Sequence, residues 1–101
     1  MLYIQTAKHS PDSCPRHNAA MKKIYLDFNT KLGALLKKYG IKVVGSWVIT
    51  QEHVSVMIFD APDPTAMMKF MSDRETSDWQ SHHIIKTRPV ITIEEAMKLL
   101  K

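Results

Sequence analysis

The sequence lacks the features that most directly mark secreted, membrane and multidomain proteins. It has one cysteine, so it forms no intramolecular disulfide, which points to a reducing compartment. The longest uncharged apolar run, Val43–Ile49, is far shorter than the roughly 20 residues that cross a bilayer. The first residues lack a basic segment and a small-residue cleavage site, so we expect no signal peptide. These absences predict a cytoplasmic chain without a membrane partner.

Length and composition favour one folded domain over residues 1–101. Of the 101 residues, 45% are hydrophobic and 24% are charged, which is typical of globular rather than disordered chains. A second, cofactor-binding domain does not fit in this length. The formal net charge is +4, and its basic excess lies mostly on one face of the first predicted helix. We interpret that face as a solvated lysine surface.

The pattern of apolar residues predicts the element order β-α-β-β-α-β with a further helix at the end. The order defines a ferredoxin-like α+β fold, whose four-stranded antiparallel sheet has helices on one face. In chain order the predicted elements are strand Leu2–Ala7, a helix from about Asn18 to Gly40, strands Ile41–Thr50 and His53–Asp60, a helix opened by Asp63 and Pro64, strand Ile84–Pro89 and a helix opened by the capping box Thr92–Glu95.

Pairing the two hairpin strands about Gln51 and Glu52 sorts their side chains onto two faces. One face is wholly apolar, and we expect it under the helices; it carries Gly45, Trp47, Ile49, Val54, Val56 and Ile58. The other face would be open and mixes aromatic, polar and flexible side chains, which suits a ligand pocket. The pocket residues predicted on that open face are Tyr3, Gln5, His53, Ser55 and Met57.

Chemistry-bearing residues converge at one end of the predicted sheet. In this topology the end of the first strand meets the starts of the third and fourth. That end gathers every histidine, the cysteine and one tryptophan: His9, Cys14, His17, His53, Trp79, His82 and His83. His82 and His83 are adjacent and point to opposite sides in an extended strand, so at most one joins a shared site, and we expect His82.

Three chemistries fit this cluster. Thiolate and imidazole suit zinc or copper, but Cys14-x-x-His17 lacks the paired spacing of established sites. We therefore expect no resident metal and no other cofactor. Cys14 as a nucleophile activated by a neighbouring histidine is a second alternative. In the third, His53 is a general acid–base group, because imidazole titrates near neutral pH.

Nucleic-acid binding is not expected, although RNA-recognition domains share this topology. The third strand, His53–Phe59, lacks the basic and aromatic pattern that stacks bases. The lysines also lie on the helix side, away from the open sheet face.

The topology and the loop His9-Ser10-Pro11-x-x-Cys14-Pro15 together resemble the dimeric α+β barrel superfamily, and within it a small prokaryotic family. The resemblance implies a homodimer with two sheets face to face and a pocket between each sheet and its helices. Superfamily relatives include cofactor-free monooxygenases, isomerases, haem-degrading enzymes and ligand-sensing modules, so the fold alone does not fix a function. The haem-degrading relatives carry an Asn on the first strand and a Trp and a His around the second helix. Here Gln5 stands for the Asn, and Trp79 and His82 fall beyond the helix, which argues against haem chemistry.

The sequence therefore predicts a cytoplasmic homodimer that binds a small organic molecule. Its ligand contacts would be Tyr3, Gln5, His9, Cys14, His17, Ser55, Met57, Trp79 and His82, with His53 as the acid–base residue of an enzyme resembling the monooxygenases or isomerases. A non-catalytic sensor or interaction module and a His/Cys metal-binding protein stay open as alternatives.

Overall fold

Four strands form one antiparallel sheet in the computed structural model, which describes residues 1–101. The strands are β1 (Leu2–Lys8), β2 (Lys42–Ile49), β3 (Val54–Asp60) and β4 (Ile84–Val90). Their order across the sheet is β2-β3-β1-β4, which is the ferredoxin-like order. The predicted fold class is confirmed.

Four helices accompany the sheet: α1 (Ala19–Lys38), α2 (Pro64–Met71), α3 (Ser77–Ser81) and α4 (Ile93–Leu99). Short 3-10 turns cover Pro11–Ser13, Thr50–Glu52 and Arg74–Thr76. None of the helices combines the length and the apolar character needed to cross a membrane.

Capping residues mark the ends of the helices. The Asn18 side chain accepts a hydrogen bond from the Met21 amide at 3.1 Å and opens α1. Asp63 does the same for the Ala66 amide at 2.8 Å at the start of α2. Such side-chain oxygens satisfy amides that have no partner inside the helix. Gly40, with φ of 69°, ends α1 in the left-handed conformation that glycine adopts without strain.

The main core lies between the sheet and the helices α1 and α2. Its buried residues are Tyr3, Leu35, Leu36, Ile41, Phe59, Ala61, Ala66, Met67 and Phe70. The Phe59 and Phe70 rings meet edge to face with centroids 5.8 Å apart, a geometry that aromatic pairs prefer. Phe59 is 1% exposed and is central to this packing.

The predicted strand register is correct, but the predicted assignment of the two sheet faces is wrong. Ile49 pairs with Val54 and Trp47 with Val56, as expected. The helices nevertheless cover the face that carries Tyr3, Gln5, Ala7, Ser55, Met57 and Phe59. We call it the covered face.

The polar groups on the covered face tolerate burial because they have partners. The Tyr3 hydroxyl donates to the Met1 sulfur at 3.3 Å, and the Gln5 amide donates to the Thr87 hydroxyl at 3.1 Å. A buried polar group with a hydrogen-bond partner avoids most of the desolvation cost. Tyr3 and Gln5 are 7% and 3% exposed, so neither lies on an open surface.

The opposite face of the sheet has no helix over it. We call it the open face; its residues are Leu2, Ile4, Thr6, Lys8, Lys42, Gly45, Trp47, Ile49, Val54, Val56, Ile58, Asp60, Ile84, Lys86, Arg88 and Val90. The Trp47 ring lies against Gly45, where a Cβ atom would collide with it. Trp47 is 56% exposed, which is unusual for so large an apolar side chain.

Asp73 ties the end of α1 to the loop that follows α2. Its carboxylate accepts hydrogen bonds from the Tyr39 hydroxyl at 2.5 Å and from the Glu75 amide at 3.0 Å. Lys38 lies 3.4 Å from the same carboxylate. The Tyr39 hydrogen bond, followed by that of the Glu75 amide, lowers the pKa of Asp73 below its ordinary value, so the ionised form is preferred in the folded chain.

We expect Asp73→Asn to lower stability at neutral pH and to weaken the loss of stability in acid. A carboxyl whose pKa is lower in the folded than in the unfolded chain stabilises the fold above the unfolded value. That contribution disappears as the pH falls through the folded value. The stability difference between wild type and Asp73→Asn should therefore shrink as the pH drops below about 4, as measured by urea denaturation. Asp27→Asn, on the exposed side of α1, is the control; a pH-independent difference for Asp73→Asn would contradict the role of the charge.

Candidate functional site

A polar cleft lies at the end of the sheet where β1 ends and β3 and β4 begin. Its volume is about 750 Å³. Twelve residues line it: Lys8, His9, Ser10, Pro11, Ser13, Gln51, Glu52, His53, Ser81, His82, His83 and Ile84. We call it the histidine cleft.

Backbone hydrogen bonds fix the loop and the turn that bring two of these histidines together. The His9 amide donates to the His53 carbonyl at 3.1 Å, which extends the β1–β3 pairing by one residue pair. His53 has φ of 56° and closes the hairpin in the left-handed conformation. This placement corrects the prediction that His53 opens the third strand, since β3 begins at Val54.

The loop after β1 folds back and buries Cys14. The Cys14 amide donates to the Pro11 carbonyl at 3.2 Å, and its own carbonyl accepts from the His17 and Asn18 amides at 3.0 Å each. The residue is 3% exposed. The loop therefore holds the thiol behind the floor of the histidine cleft.

Four side chains form one chain of hydrogen bonds beside the cleft. His83 Nδ1 lies 2.5 Å from the Trp79 carbonyl and must donate to it, because a carbonyl only accepts. Neutral His83 Nε2 then accepts from the Tyr25 hydroxyl. The Tyr25 oxygen in turn accepts from His9 Nδ1 at 2.9 Å.

This order fixes the tautomer of each ring. His9 carries its proton on Nδ1, so its Nε2 lone pair points at His53 Nδ1, 3.2 Å away. The Nδ1 atom of His53 therefore donates to the Nε2 atom of His9. One backbone carbonyl thus orients three imidazoles through Tyr25.

Burial favours the neutral forms of His9, His83 and Tyr25. Desolvation, followed by the proximity of His53, lowers the pKa of His9. Desolvation likewise lowers the pKa of His83. Burial, followed by the proximity of Cys14, raises the pKa of Tyr25 to about 12. The charged form of each group is disfavoured because it loses hydration.

His9, Cys14 and His53 are close enough to hold a metal ion. The three ligand atoms, two ring nitrogens and the Cys14 sulfur, all lie within 4.8 Å of one another. His9 and His53 are half-buried, and Cys14 is buried behind them. Their chemistry is that of a mixed nitrogen and sulfur donor set.

Trp79 supports the cleft from behind. Its ring stacks on Phe28, with centroids 4.8 Å apart and planes at 11°, and on His83, with centroids 4.4 Å apart and planes at 28°. Trp79 is 7% exposed and is not one of the residues that line the cleft. It therefore positions His83.

The space between the covered face and the helices is almost filled. A cavity of about 10 Å³ remains there, with Gln5, Met57 and Trp79 in its lining. That volume is at the lower limit for a single water molecule. The predicted placement of four residues on an open face that lines a ligand pocket is therefore wrong: these are Tyr3, Gln5, Ser55 and Met57. Their role as ligand contacts stays a prediction.

Comparison with known proteins assigns a family. The model of a family described as a domain of unknown function, DUF3303, matches residues 1–101. The chain belongs to this family. No curated protein matches the chain. The fold is similar to a crystal structure of an uncharacterized NIPSNAP domain protein from Burkholderia xenovorans, with a TM-score of 0.52 and 12% identity over 91% of this chain and 95% of that one. At that identity the similarity concerns the fold alone.

The predicted convergence at one sheet end is confirmed for most of its members. His9, His53, His82 and His83 line the histidine cleft, and Cys14 lies behind two of them. His17 is exposed and does not line it. His82 and His83 both line the cleft, contrary to the expectation that at most one of them joins a shared site. Of the two, His83 enters the hydrogen-bond chain and His82 is exposed on the rim.

Tyr25 is the residue that sequence reasoning missed. It falls on the apolar stripe of α1, where its period matches that of core residues. The available signal was its position early in the helix, beside the loop that carries His9, together with the need of a buried hydroxyl for a partner.

We expect Tyr25→Phe to break the hydrogen-bond chain without unfolding the protein. The loss leaves His9 Nδ1 and His83 Nε2 without their partner, which should lower the free energy of unfolding by about 1–3 kcal/mol. Histidine ¹⁵N spectra of the metal-free protein should show His9 and His83 as Nδ1–H tautomers in the wild type, with His9 released from that form in the variant. His17→Ala is the control and should change neither quantity. Nε2–H tautomers in the wild type would contradict the assigned order.

Proposed function

We propose that the protein is a homodimer that binds a small polar organic molecule in the histidine cleft. The observation that carries the proposal is the convergence of His9, His53 and His83 on one open cleft of about 750 Å³. Convergent polar groups in a preformed concave site are the usual mark of a ligand site. The cytoplasmic location predicted from the single cysteine is part of this proposal.

The lining of the cleft favours a hydrophilic ligand. Ile84 is its one hydrophobic residue, and Lys8 and Glu52 contribute opposite charges. Hydroxyl, amide and imidazole groups supply both donors and acceptors. A small molecule with several oxygen or nitrogen atoms therefore fits this surface better than an apolar one.

The open face supports assembly with a second copy of the chain. Its central strands carry aliphatic side chains, and Trp47 on β2 is 56% exposed. The charged residues of this face lie around its rim: Lys86 and Arg88 on the edge strand β4, Lys8 at the end of β1, and Asp60 and Lys42 at the opposite end of the sheet. A contiguous apolar surface with charge at its rim is typical of a protein interface. A second open face of the same kind is its natural complement.

The C-terminal helix supports the same assembly. Ile93, Leu99 and Leu100 are 77%, 78% and 78% exposed. The radius of gyration is 14.8 Å, against about 13 Å for a compact domain of this length. Four strands offer a flat face of roughly 450 Å², about half of what each partner buries in a stable dimer. We propose that α4 supplies the remaining contact by packing on the partner.

We expect Trp47→Glu to convert the dimer into a monomer. The side chain is largely exposed in the single chain, so the substitution leaves the core intact, yet it would place an unpaired charge inside the proposed interface. Leu26→Glu is the matched control, because Leu26 is 59% exposed on α1. Sedimentation at micromolar concentration should give twice the chain mass of 11.6 kDa for the wild type and for Leu26→Glu, but the single mass for Trp47→Glu. A monomeric wild type would contradict the dimer.

We expect ligands to perturb the cleft and not the rest of the fold. A panel of small hydroxy acids, keto acids and amino acids, with apolar aromatics of equal size as a second arm, would be screened by ¹H–¹⁵N chemical-shift changes. Binding members should move the amides of Lys8, Gln51 and His82, and His82→Ala should weaken binding more than His17→Ala. Shifts centred on Trp47 or on Phe28 would place the site elsewhere and contradict the proposal.

A further inference from the structure

We propose that His9, Cys14 and His53 bind one soft metal ion, Zn²⁺ or Cu⁺, at the floor of the histidine cleft. Nothing in the family description or in the structural similarity assigns such a site. The metal site would lie in the same cleft as the proposed ligand. It rests on the proposed function in one respect only, namely that the small molecule of the cleft would complete the coordination of the ion.

The distances between the donor atoms fit a metal ion after a small adjustment. His9 Nε2 and His53 Nδ1 are 3.2 Å apart, and two imidazoles on one tetrahedral zinc ion stand about 3.3 Å apart. The Cys14 sulfur lies within 4.8 Å of the ligand nitrogens, whereas coordination requires about 3.6 Å. A rotation of the Cys14 side chain that moves its sulfur by roughly an ångström closes that difference.

The donor set selects the class of ion. Thiolate and imidazole favour Zn²⁺ and Cu⁺ over Mg²⁺ and Ca²⁺, which prefer oxygen. Glu52 lines the cleft but does not belong to the cluster. Three protein ligands leave one tetrahedral position, and because His9 and His53 line the cleft, a cleft molecule or water can take it.

The hydrogen-bond chain presents His9 as a ligand. The Trp79 carbonyl, His83 and Tyr25 together hold the His9 proton on Nδ1, which leaves the Nε2 lone pair pointing at the cluster. A fixed partner on the second ring nitrogen is the usual support of a metal-bound histidine. Tyr25 is thus a positioning residue for the proposed site.

Binding of the ion has a definite proton balance. Cys14 loses its thiol proton to solvent and coordinates as thiolate. His53 gives up the proton on Nδ1 and takes one on Nε2, with no net change. One proton is therefore released per ion bound, as expected where a thiol becomes a ligand.

The proposal reverses the expectation of no resident metal that the sequence spacing suggested. His9 and Cys14 share one loop, but the third ligand comes from the hairpin turn, 39 residues after Cys14. The β1–β3 pairing brings His53 to the loop, so the site depends on the fold rather than on a short motif.

The test uses the full chain, stripped with a chelator and kept reduced. Zn²⁺ alone, and Cu⁺ in a second arm, would be titrated in competition with a chromogenic chelator. Co²⁺ would report the thiolate through its sulfur-to-metal charge-transfer band. We expect one ion per chain, a Co²⁺ band that requires Cys14, and release of one proton.

Two variants remove ligands with little cost to folding. Cys14→Ser is nearly isosteric, and His53→Asn suits the left-handed backbone that asparagine tolerates. Each should weaken Zn²⁺ affinity by at least about tenfold, while His17→Asn, at an exposed histidine outside the cleft lining, should leave it unchanged. Circular dichroism would confirm that every variant is folded.

The proposal is overturned if the folded wild type binds neither Zn²⁺ nor Cu⁺ at one equivalent. It is also overturned if the Co²⁺ band persists in Cys14→Ser, or if His17→Asn loses affinity as strongly as His53→Asn. Because these titrations contain no organic ligand, their failure leaves the proposed small-molecule binding and the dimer untouched. Conversely, a monomeric chain that still binds one ion supports the metal site alone.

Discussion

The site depends on the position of β1 in the centre of the sheet. This strand pairs with β3 on one side and β4 on the other, and Lys8 at its end lies opposite both Val54 and Ile84. Each of these three residues is followed or preceded directly by a histidine: His9, His53 and His83. Antiparallel pairing on both sides therefore places three imidazoles at one sheet end without any long-range sequence motif. Because β1 is hydrogen-bonded to a neighbouring strand along both of its edges, two strand pairings fix its register at once.

Much of this arrangement could be predicted from the sequence because it follows from local patterns. The hairpin register followed from the two-residue centre at Gln51 and Glu52, and the helix starts followed from Asn18, Asp63 and Thr92. The face that the helices cover could not be predicted in the same way, because β3 carries apolar residues on both of its faces. The deciding factors were the flexible and aromatic shapes of Met57 and Phe59, which fill the irregular space under helices, and the internal partners that Tyr3 and Gln5 find only in three dimensions.

The order of the hydrogen bonds at the cleft was beyond sequence reasoning for a different reason. The choice of His83 over His82 depends on the end of α3, where the Trp79 carbonyl meets the Nδ1 atom of His83, four residues later. Tyr25 enters because α1 passes beside the loop after β1, and its periodicity in the sequence is that of a core residue. A buried hydroxyl between two imidazoles satisfies three polar groups at once, which offsets the cost of burying them. Because the Tyr25 oxygen holds the His9 proton on Nδ1, the free lone pair of the His9 ring lies on Nε2 and points at His53.

The open face and the histidine cleft make separate physical demands on the same sheet. The open face carries aliphatic side chains and Trp47, and burying them against a second copy gains free energy in proportion to apolar area. The cleft carries groups that lose free energy when they are buried without partners, so it stays wet and open at the sheet end. Because β1 contributes Leu2, Ile4 and Thr6 to the open face and ends at Lys8, directly before His9, any shift of register would move both surfaces together.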